Sequence, residues 1–303
     1  MSRKLFIVQL GLTVGLCTSF AGAAPVVNGT ISGGDAYGPA LAVQTTQTQF
    51  GDNLSEWNAA YGVISGGRLY LGFTGNVEAN FNKFEIFIDS KAGGQSVFDS
   101  SGNDNAGAMD GMRFDDGFTA DYHVIARRGF NAINRFDLDF ANLQAQSASG
   151  YGDLFGNGTV GVGATGTGVN ASPINVAYNN DNVAGVLGGT GAANQAAALA
   201  VTTGLELSFD LADLGYTGGP IRVFAFQNNQ DHNFASNQLL PGLITPQGNL
   251  GGNGMGGFTG SLNGLNFNNF YPGAAEGWFT ILPAPGTTSL LGLAGLVALR
   301  RRR

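Results

Sequence analysis

The sequence predicts an all-β protein built as a two-sheet antiparallel β-sandwich with long loops rich in Gly and Asn. Gly accounts for 50 of the 303 residues, and it disfavours helices because it costs roughly 1 kcal/mol per helical residue relative to Ala. Charged residues make up only 12% of the chain, against about 25% in ordinary soluble domains. Hydrophobic residues still make up 43%, including 22 Phe, so the chain can bury a substantial core.

Alternation of apolar and polar residues identifies the strands, because neighbouring side chains in a strand point to opposite faces. Four segments alternate clearly, at 68–73, 84–89, 135–140 and 205–209. Nine or more strands with polar outer faces favour two stacked sheets. A closed barrel is the alternative, whereas a solenoid is excluded because no repeat period occurs. Five further candidate strands lie at 40–46, 57–65, 119–127, 221–227 and 278–282.

The connections between these strands follow from turn and capping residues. Ser65-Gly66-Gly67 lies between two strand segments and predicts a hairpin turn, since Gly accepts a positive φ without strain. Residues 210–214 predict one short helix, with Asp210 as its N-cap and Gly215 ending it. We expect long loops at 150–168 and 248–269, where Gly and small or polar residues dominate.

The first 23 residues have the organisation of a secretory signal peptide. Arg3 and Lys4 precede an apolar stretch at 5–20, and Ala21-Gly22-Ala23 then supplies a small-x-small cleavage site. An uncleaved anchor helix is the alternative. Cys17, the only cysteine, lies inside the apolar stretch, so the exported chain would contain no disulfide and no thiolate site.

The last 21 residues combine three parts in a fixed order. They are the motif Pro283-Ala284-Pro285-Gly286, an uncharged apolar run at 287–299, and the cluster Arg300-Arg301-Arg302-Arg303. Thirteen helical residues rise only about 20 Å, against a hydrocarbon core of roughly 30 Å, which indicates a temporary anchor. The positive-inside rule would keep the four arginines in the cytoplasm and the preceding body outside.

This arrangement resembles the PEP-CTERM sorting tail of exported bacterial proteins, with Ala284 standing where the family motif has Glu. The resemblance implies Pro283, Pro285, Gly286 and Arg300 to Arg303 as the sorting signal. It also implies an exosortase-type processing enzyme as partner and an association with exopolysaccharide. We therefore expect a sorting tail at 283–303, a β-sandwich domain at 24–282, and a final location at the cell surface or outside the cell.

The body between the two ends is strongly acidic. Without the six basic residues of the two ends, eight basic residues remain against 21 acidic ones, which gives a balance of −13. This charge opposes binding to nucleic acid and to anionic membrane surfaces. It is compatible with divalent cations or with neutral polysaccharide.

Residues 52–89 resemble the opening of sandwich modules related to family 9 carbohydrate-binding modules and DOMON-like domains. The matching features are Asp52 and Trp57 before a hairpin, a Leu-Tyr strand at 69–73, and a strand at 84–89 that ends in Asp. The resemblance implies a sandwich fold and carbohydrate binding. Since sugars stack on amphipathic aromatic rings, Trp57 and Tyr70 are the candidate binding residues. A core position is the alternative for Trp57.

Acidic residues concentrate in one Gly- and Asn-rich region. Calcium prefers six to eight oxygen ligands, and a flexible loop can wrap around it. The spacing differs from an EF-hand, and solvated acidic loops are the alternative. The candidate ligands of a calcium ion are Asp99, Asp104, Asp110, Asp115 and Asp116.

Residues that could perform catalysis are few. His123 lies in a predicted strand and His232 in a predicted loop, and no nucleophile elbow or metalloprotease motif occurs. We therefore expect a non-enzymatic protein without a resident cofactor, with structural or carbohydrate-binding contacts. An extracellular polysaccharide-acting enzyme is the alternative, and it would need two carboxylates across a cleft lined by Trp57 or Tyr. An ice-binding surface is a third possibility, for which the Thr-rich stretch 45–48 is short.

Overall fold

The computed structural model describes residues 23–32, 35–100 and 102–283, so the predicted signal peptide and nearly all of the predicted sorting tail lie outside the described residues. Within them, one short α-helix, α1 (Gln195–Leu199), and two 3₁₀ helices (Asn103–Met109 and Phe267–Asn269) accompany the strands. The strands are β1 (Ala42–Val43), β2 (Glu56–Ser65), β3 (Arg68–Asn76), β4 (Asn80–Asp89), β5 (Tyr122–Asn131), β6 (Ile133–Asn142), β7 (Ser147–Tyr151), β8 (Val160–Ala164), β9 (Asn175–Asn179), β10 (Gly204–Asp210), β11 (Ile221–Asn228), β12 (Ala235–Leu240) and β13 (Phe279–Ile281).

The strands form two antiparallel sheets, which confirms the predicted all-β sandwich. The first sheet has the order β1-β2-β3-β10-β9-β8, and the second has the order β12-β11-β4-β5-β6-β7, with β13 also paired to β11. Residues of both sheets share one buried core, in which Leu71 and Phe73 of β3 lie in the same cluster as Phe84 and Ile86 of β4. This core is the interior that the alternating pattern predicts.

The hairpin that joins β2 to β3 has the predicted turn. Ser65 pairs with Arg68, and the two residues between them, Gly66 and Gly67, have φ angles of 57° and 79°. Positive φ at both central positions is the geometry of a two-residue turn that matches the twist of the strands, and glycine adopts it without strain.

A second aromatic cluster covers the outer face of the second sheet, where the alternating pattern of the strands predicts polar residues. Phe87 of β4 and Phe224 and Phe226 of β11 lie on that face and are buried. The segments 92–118 and 241–278 fold over them as a third layer. Their buried residues include Phe98, Phe114, Phe118, Phe267 and Trp278.

Three predicted elements differ from the structure. Residues 211–215 form turns instead of a helix; Asp210 caps the N–H of Ala212 at 2.9 Å, but the segment is too short to propagate a helix. The helix lies instead at α1, capped by Asn194. The expected loop 150–168 contains β8, and the segment 40–46 contributes only the two residues of β1 to a strand.

Candidate functional site

The two aromatic residues predicted to bind sugar lie in different surroundings. Trp57 is fully buried, and its ring stacks on Phe84 at 4.0 Å and packs on Phe73 at 5.1 Å between centroids. The prediction of Trp57 as a surface platform is therefore wrong, because no sugar can reach this ring in the folded protein. Tyr70 is half-buried and points away from the core, since Leu69 and Leu71 on either side of it point inward.

The structure does not gather the five aspartates predicted to bind calcium into one metal site. Asp104 is paired with Lys83 at 3.2 Å and with Arg127 at 2.9 Å. Among the described residues, no group of three or more acidic, His or Cys side chains is arranged to hold a metal ion. The calcium prediction rests on the acidic composition alone. Of the other four, Asp110 accepts the N–H of Ser100, Asp115 accepts that of Gly277, and Asp99 and Asp116 are exposed.

A buried cluster of acidic and basic side chains lies on the outer face of the second sheet. Glu85 of β4 contacts both histidines of the chain through one carboxylate, with 2.8 Å from Oε2 to His123 Nε2 and 2.7 Å from Oε1 to His232 Nδ1. His232 Nε2 lies 3.3 Å from Asp104 Oδ2. Glu85 and His123 are fully buried and His232 is nearly so, so the cluster is closed to a substrate.

The surroundings of His232 favour its doubly protonated form. Each of its ring nitrogens faces a carboxylate oxygen, of Glu85 on one side and Asp104 on the other, and only an imidazole protonated at both nitrogens can donate to both. Burial alone would lower the pKa of His232, but these two carboxylates raise it. Burial likewise opposes ionisation of Glu85, yet the His232 charge and the hydrogen bonds from both imidazoles lower its pKa. Burial lowers the pKa of His123, which makes it the neutral partner.

The charged cluster continues along β5 and β6. Arg127 contacts Asp104 at 2.9 Å, Asp137 at 3.7 Å and Asp139 at short range. Burial raises the pKa of Asp139 to about 6 against the opposing effect of Arg127. The cluster therefore ties the 3₁₀ segment Asn103–Met109 and the β11–β12 loop to the sheet. Two of its members, Asp104 and His232, have φ angles of 44° and 58°, a left-handed conformation that requires such support.

Glu56 is a further buried carboxyl group with a shifted pKa, and it makes the stability of the fold depend on pH. It accepts hydrogen bonds from the backbone N–H of Asn53 and from the side-chain amides of Asn58 and Asn182. Burial outweighs these bonds and raises the pKa of Glu56 from 4.5 to about 7. The folded state therefore binds this proton more tightly than the unfolded state does.

We expect the free energy of unfolding to fall as pH rises from about 4.5 to about 7, because the unfolded chain releases the Glu56 proton first. Denaturant unfolding at a series of pH values measures this dependence. The Glu56→Gln variant should be less stable at low pH but should show a flatter profile across the same interval. An identical slope in the two proteins would contradict the assignment to Glu56.

A polar cleft opens at one end of the sandwich, with a volume of about 350 Å³. Four chain segments supply its walls: the segment before β2, the β3–β4 turn with the first residues of β4, the β11–β12 loop and the loop after β12. These segments are distant in sequence, and the pairing of β4 with β11 brings two of them together. The lining residues are Gln49, Phe50, Glu78, Asn80, Asn82, Asn229, Phe234 and Asn249.

Two aromatic rings form the apolar part of this cleft. Phe50 and Phe234 are half-buried, with their ring centroids 6.2 Å apart and their planes within 11° of parallel. Amide side chains surround them, and an amide can donate and accept hydrogen bonds together. A sugar ring has an apolar face and hydroxyl groups at its edge. An aromatic ring can pack on the apolar face, and the neighbouring amides can hydrogen-bond the hydroxyl groups.

The buried charged cluster positions one wall of the cleft. His232 lies in the same loop as Asn229 and Phe234, and its contact with Glu85 fixes that loop against β4. Asn228 Oδ1 accepts the backbone N–H of both Asn229 and Phe234. The two features are therefore linked, since the cluster orders the segment that carries one of the two rings.

The cleft bears on the alternative functions. Its lining contains a single carboxylate, Glu78, so the pair of facing carboxylates expected of a polysaccharide-acting enzyme does not occur there. Within the stretch 45–48, Thr46 and Thr48 are buried and present no exposed row of threonines.

Sequence reasoning missed the cleft because it treated Phe residues as core. The local signal was present in the Asn- and Gln-rich segments next to Phe50 and Phe234, but 184 residues separate the two rings. Their proximity depends on the hydrogen bonds between the segment before β2 and Asn237 of β12.

The fold and this cleft define an all-β sandwich with an aromatic, amide-lined surface depression. Comparison with protein-family models, with curated proteins and with solved structures finds no match to this chain. In the part of the chain that the structure describes, no helix has the length and apolar character needed to cross a membrane.

Proposed function

We propose that this protein is an exported β-sandwich that binds extracellular polysaccharide, without catalysing a reaction on it, through the cleft of Phe50 and Phe234. The observation that carries the proposal is the pair of half-buried, nearly parallel rings within a ring of amides. A half-buried aromatic pair is held rigidly, so little side-chain entropy is lost when a sugar packs on it. The single carboxylate in the lining supports binding over glycoside hydrolysis.

The charge around the cleft favours an uncharged polymer over an acidic one. No basic side chain belongs to the described lining, and Glu78 adds a carboxylate. Several of the basic residues are engaged elsewhere, Lys83 and Arg127 in the buried cluster and Arg222 with Asp89. A polysaccharide rich in uronic acid would therefore meet repulsion without a cation to offset it. Neutral glucans and chitin-type polymers fit the site.

Retention of the purified protein on insoluble cellulose, chitin and cross-linked pectate tests this proposal. We expect binding to at least one of the two uncharged polymers and none to pectate. Phe234→Ala should weaken binding about tenfold, the loss of roughly 1.4 kcal/mol, since it removes one of the two stacking rings.

Phe258→Ala is the matched control, because Phe258 is 68% exposed and lies outside the lining of the cleft. It should bind as the unchanged protein does. Equal retention of the Phe234 and Phe258 variants would contradict the site, and absence of binding to every polymer would contradict the function.

We also propose that the chain is exported through its signal peptide and that an exosortase-type enzyme processes its C-terminal tail. Support comes from the order of Pro283, Pro285, the apolar run and the arginine cluster in the sequence. In the structure, Pro283 is exposed, and one residue separates it from the end of β13. A processing enzyme can reach this position. The location that follows from this proposal is the cell surface or the surrounding matrix.

Replacement of Arg300 to Arg303 by neutral residues should disturb insertion or processing of the tail, because these charges orient the apolar run in the membrane. Cell fractionation and the apparent size of the protein measure the effect. We expect the variant to accumulate in an unprocessed form or in the wrong fraction. Unchanged size and location would contradict the sorting proposal and would leave the binding proposal untouched.

A further inference from the structure

A second cleft adjoins the one that contains Phe50 and Phe234. It has a volume of about 210 Å³ and is lined by Gln247, Gly248, Asn249 and Met255. Asn249 lines both clefts, so they are neighbours along one surface. The first cleft alone, at about 350 Å³, is near the lower end of the roughly 300–1,000 Å³ typical of ligand sites.

Asn249 at the junction is held in place by its neighbours. Its backbone N–H donates to Gln49 Oε1 at 2.7 Å, and its Oδ1 accepts the N–H of Asn237 at 3.1 Å. Asn237 in turn donates to the carbonyl oxygens of Gln47 and Gln247. The side-chain Nδ2 of Asn249 has no partner among the described residues. A fixed amide donor therefore lies where the two clefts meet.

The second cleft, like the first, combines an apolar side chain with amide groups, but its apolar side chain is a methionine and not a pair of aromatic rings. Met255 is 88% exposed, and its flexible thioether chain can adapt to an apolar surface placed against it. Gln247 supplies an amide whose Nε2 donates to the carbonyl of Gly254, which leaves its Oε1 as an acceptor. An apolar contact next to amide groups is again the combination that a sugar ring requires.

We propose that the second cleft is a further subsite for the same uncharged polysaccharide. The two adjoining clefts, called the groove from here on, then hold a run of consecutive sugar residues and not a single sugar. This inference rests on the proposed function. One sugar packs on Phe50 and Phe234, Asn249 hydrogen-bonds at the junction, and the next part of the chain contacts Met255. Affinity then increases with chain length, because each subsite adds contact area without a second loss of translational freedom.

Calorimetric titration of the purified protein with cello-oligosaccharides and chito-oligosaccharides, from the disaccharide to the hexasaccharide, tests the inference. The longer members of the bound series should bind more tightly than the disaccharide. Met255→Ala should weaken the hexasaccharide about tenfold and leave the disaccharide unchanged. Phe258→Ala, which replaces another exposed apolar side chain in the same loop, should alter neither.

Affinity that is independent of length, or an equal effect of Met255→Ala on every member, would overturn the second subsite. That result is distinct from failure of the proposed function, in which no oligosaccharide binds and the Phe234 variant behaves as the unchanged protein does. Met255 is exposed and Phe234 is half-buried, so a melting temperature close to that of the unchanged protein verifies the fold of each of these two variants.

Discussion

Replacement of Glu85 by Ala is expected to lower the free energy of unfolding by about 3–5 kcal/mol, the range for removing one partner of a buried ion pair. The carboxylate is fully buried and contacts His123 and His232 at 2.8 Å and 2.7 Å. Its loss leaves the buried His232 cation with only Asp104 at 3.3 Å. Urea unfolding measures the change.

Asp231→Ala is the control for this prediction. Asp231 is exposed and precedes His232 in the same loop, so its replacement should change stability by no more than about 0.5 kcal/mol. If Glu85→Ala costs no more than this control, the buried cluster does not hold the third layer to the sheet. Because the pKa of Glu85 is lowered in the folded state, the stabilisation that it supplies should decrease as pH falls below the ordinary value of a carboxyl group, and it should be gone once pH falls below the lowered value.

Replacement of Trp57 by Ala is expected to cost about 3–5 kcal/mol, as for other large aromatic residues removed from a core. Trp57 is fully buried between Phe84 and Phe73, and no rearrangement of neighbouring rings can fill so large a space without strain. The variant should unfold at a lower denaturant concentration, and the polysaccharide affinity of its folded fraction should be unchanged.

Trp57→Phe should be much milder than Trp57→Ala. It keeps an aromatic ring in the stack, and it removes the indole N–H, which has no hydrogen-bond partner among the described residues. A Trp57→Ala protein of unchanged stability that fails to bind polysaccharide would contradict the buried position and would restore Trp57 as a binding residue.

The sandwich could be predicted from sequence because its signals are local. Alternation with a period of two identifies β3, β4, β6 and β10 directly, and two successive glycines specify the turn after Ser65. Neither depends on distant parts of the chain.

The third layer could not be predicted in this way, because it consists of irregular segments without a period. Its aromatic residues, such as Phe98 and Phe267, carry no pattern that distinguishes a second core from the first. Phe87 is one hint, since it stands on the face of β4 where the alternating pattern predicts a polar residue.

The candidate site depended on contacts that sequence spacing does not reveal. Trp57 has the type of side chain on which sugars stack, but it points inward from β2 and is therefore a core residue. Phe50 comes close to Phe234 because Asn237 of β12 hydrogen-bonds the backbone of the segment before β2. The pairing of β4 with β11 brings Glu85 next to the loop that carries His232. A β-bulge between Trp57 and Ala59 shifts the register of β2. The alternation of residues in the sequence therefore does not show directly which face of the sheet each side chain of β2 occupies.

NMR of the side-chain amides during titration with the hexasaccharide that binds measures whether polysaccharide lies in the cleft of Phe50 and Phe234. The amide resonances of Asn82, Asn229 and Asn249 should shift together with increasing ligand, while those remote from the groove stay in place. Shifts confined to the outer face of the first sheet around Tyr70, or no shifts at all, would contradict the account.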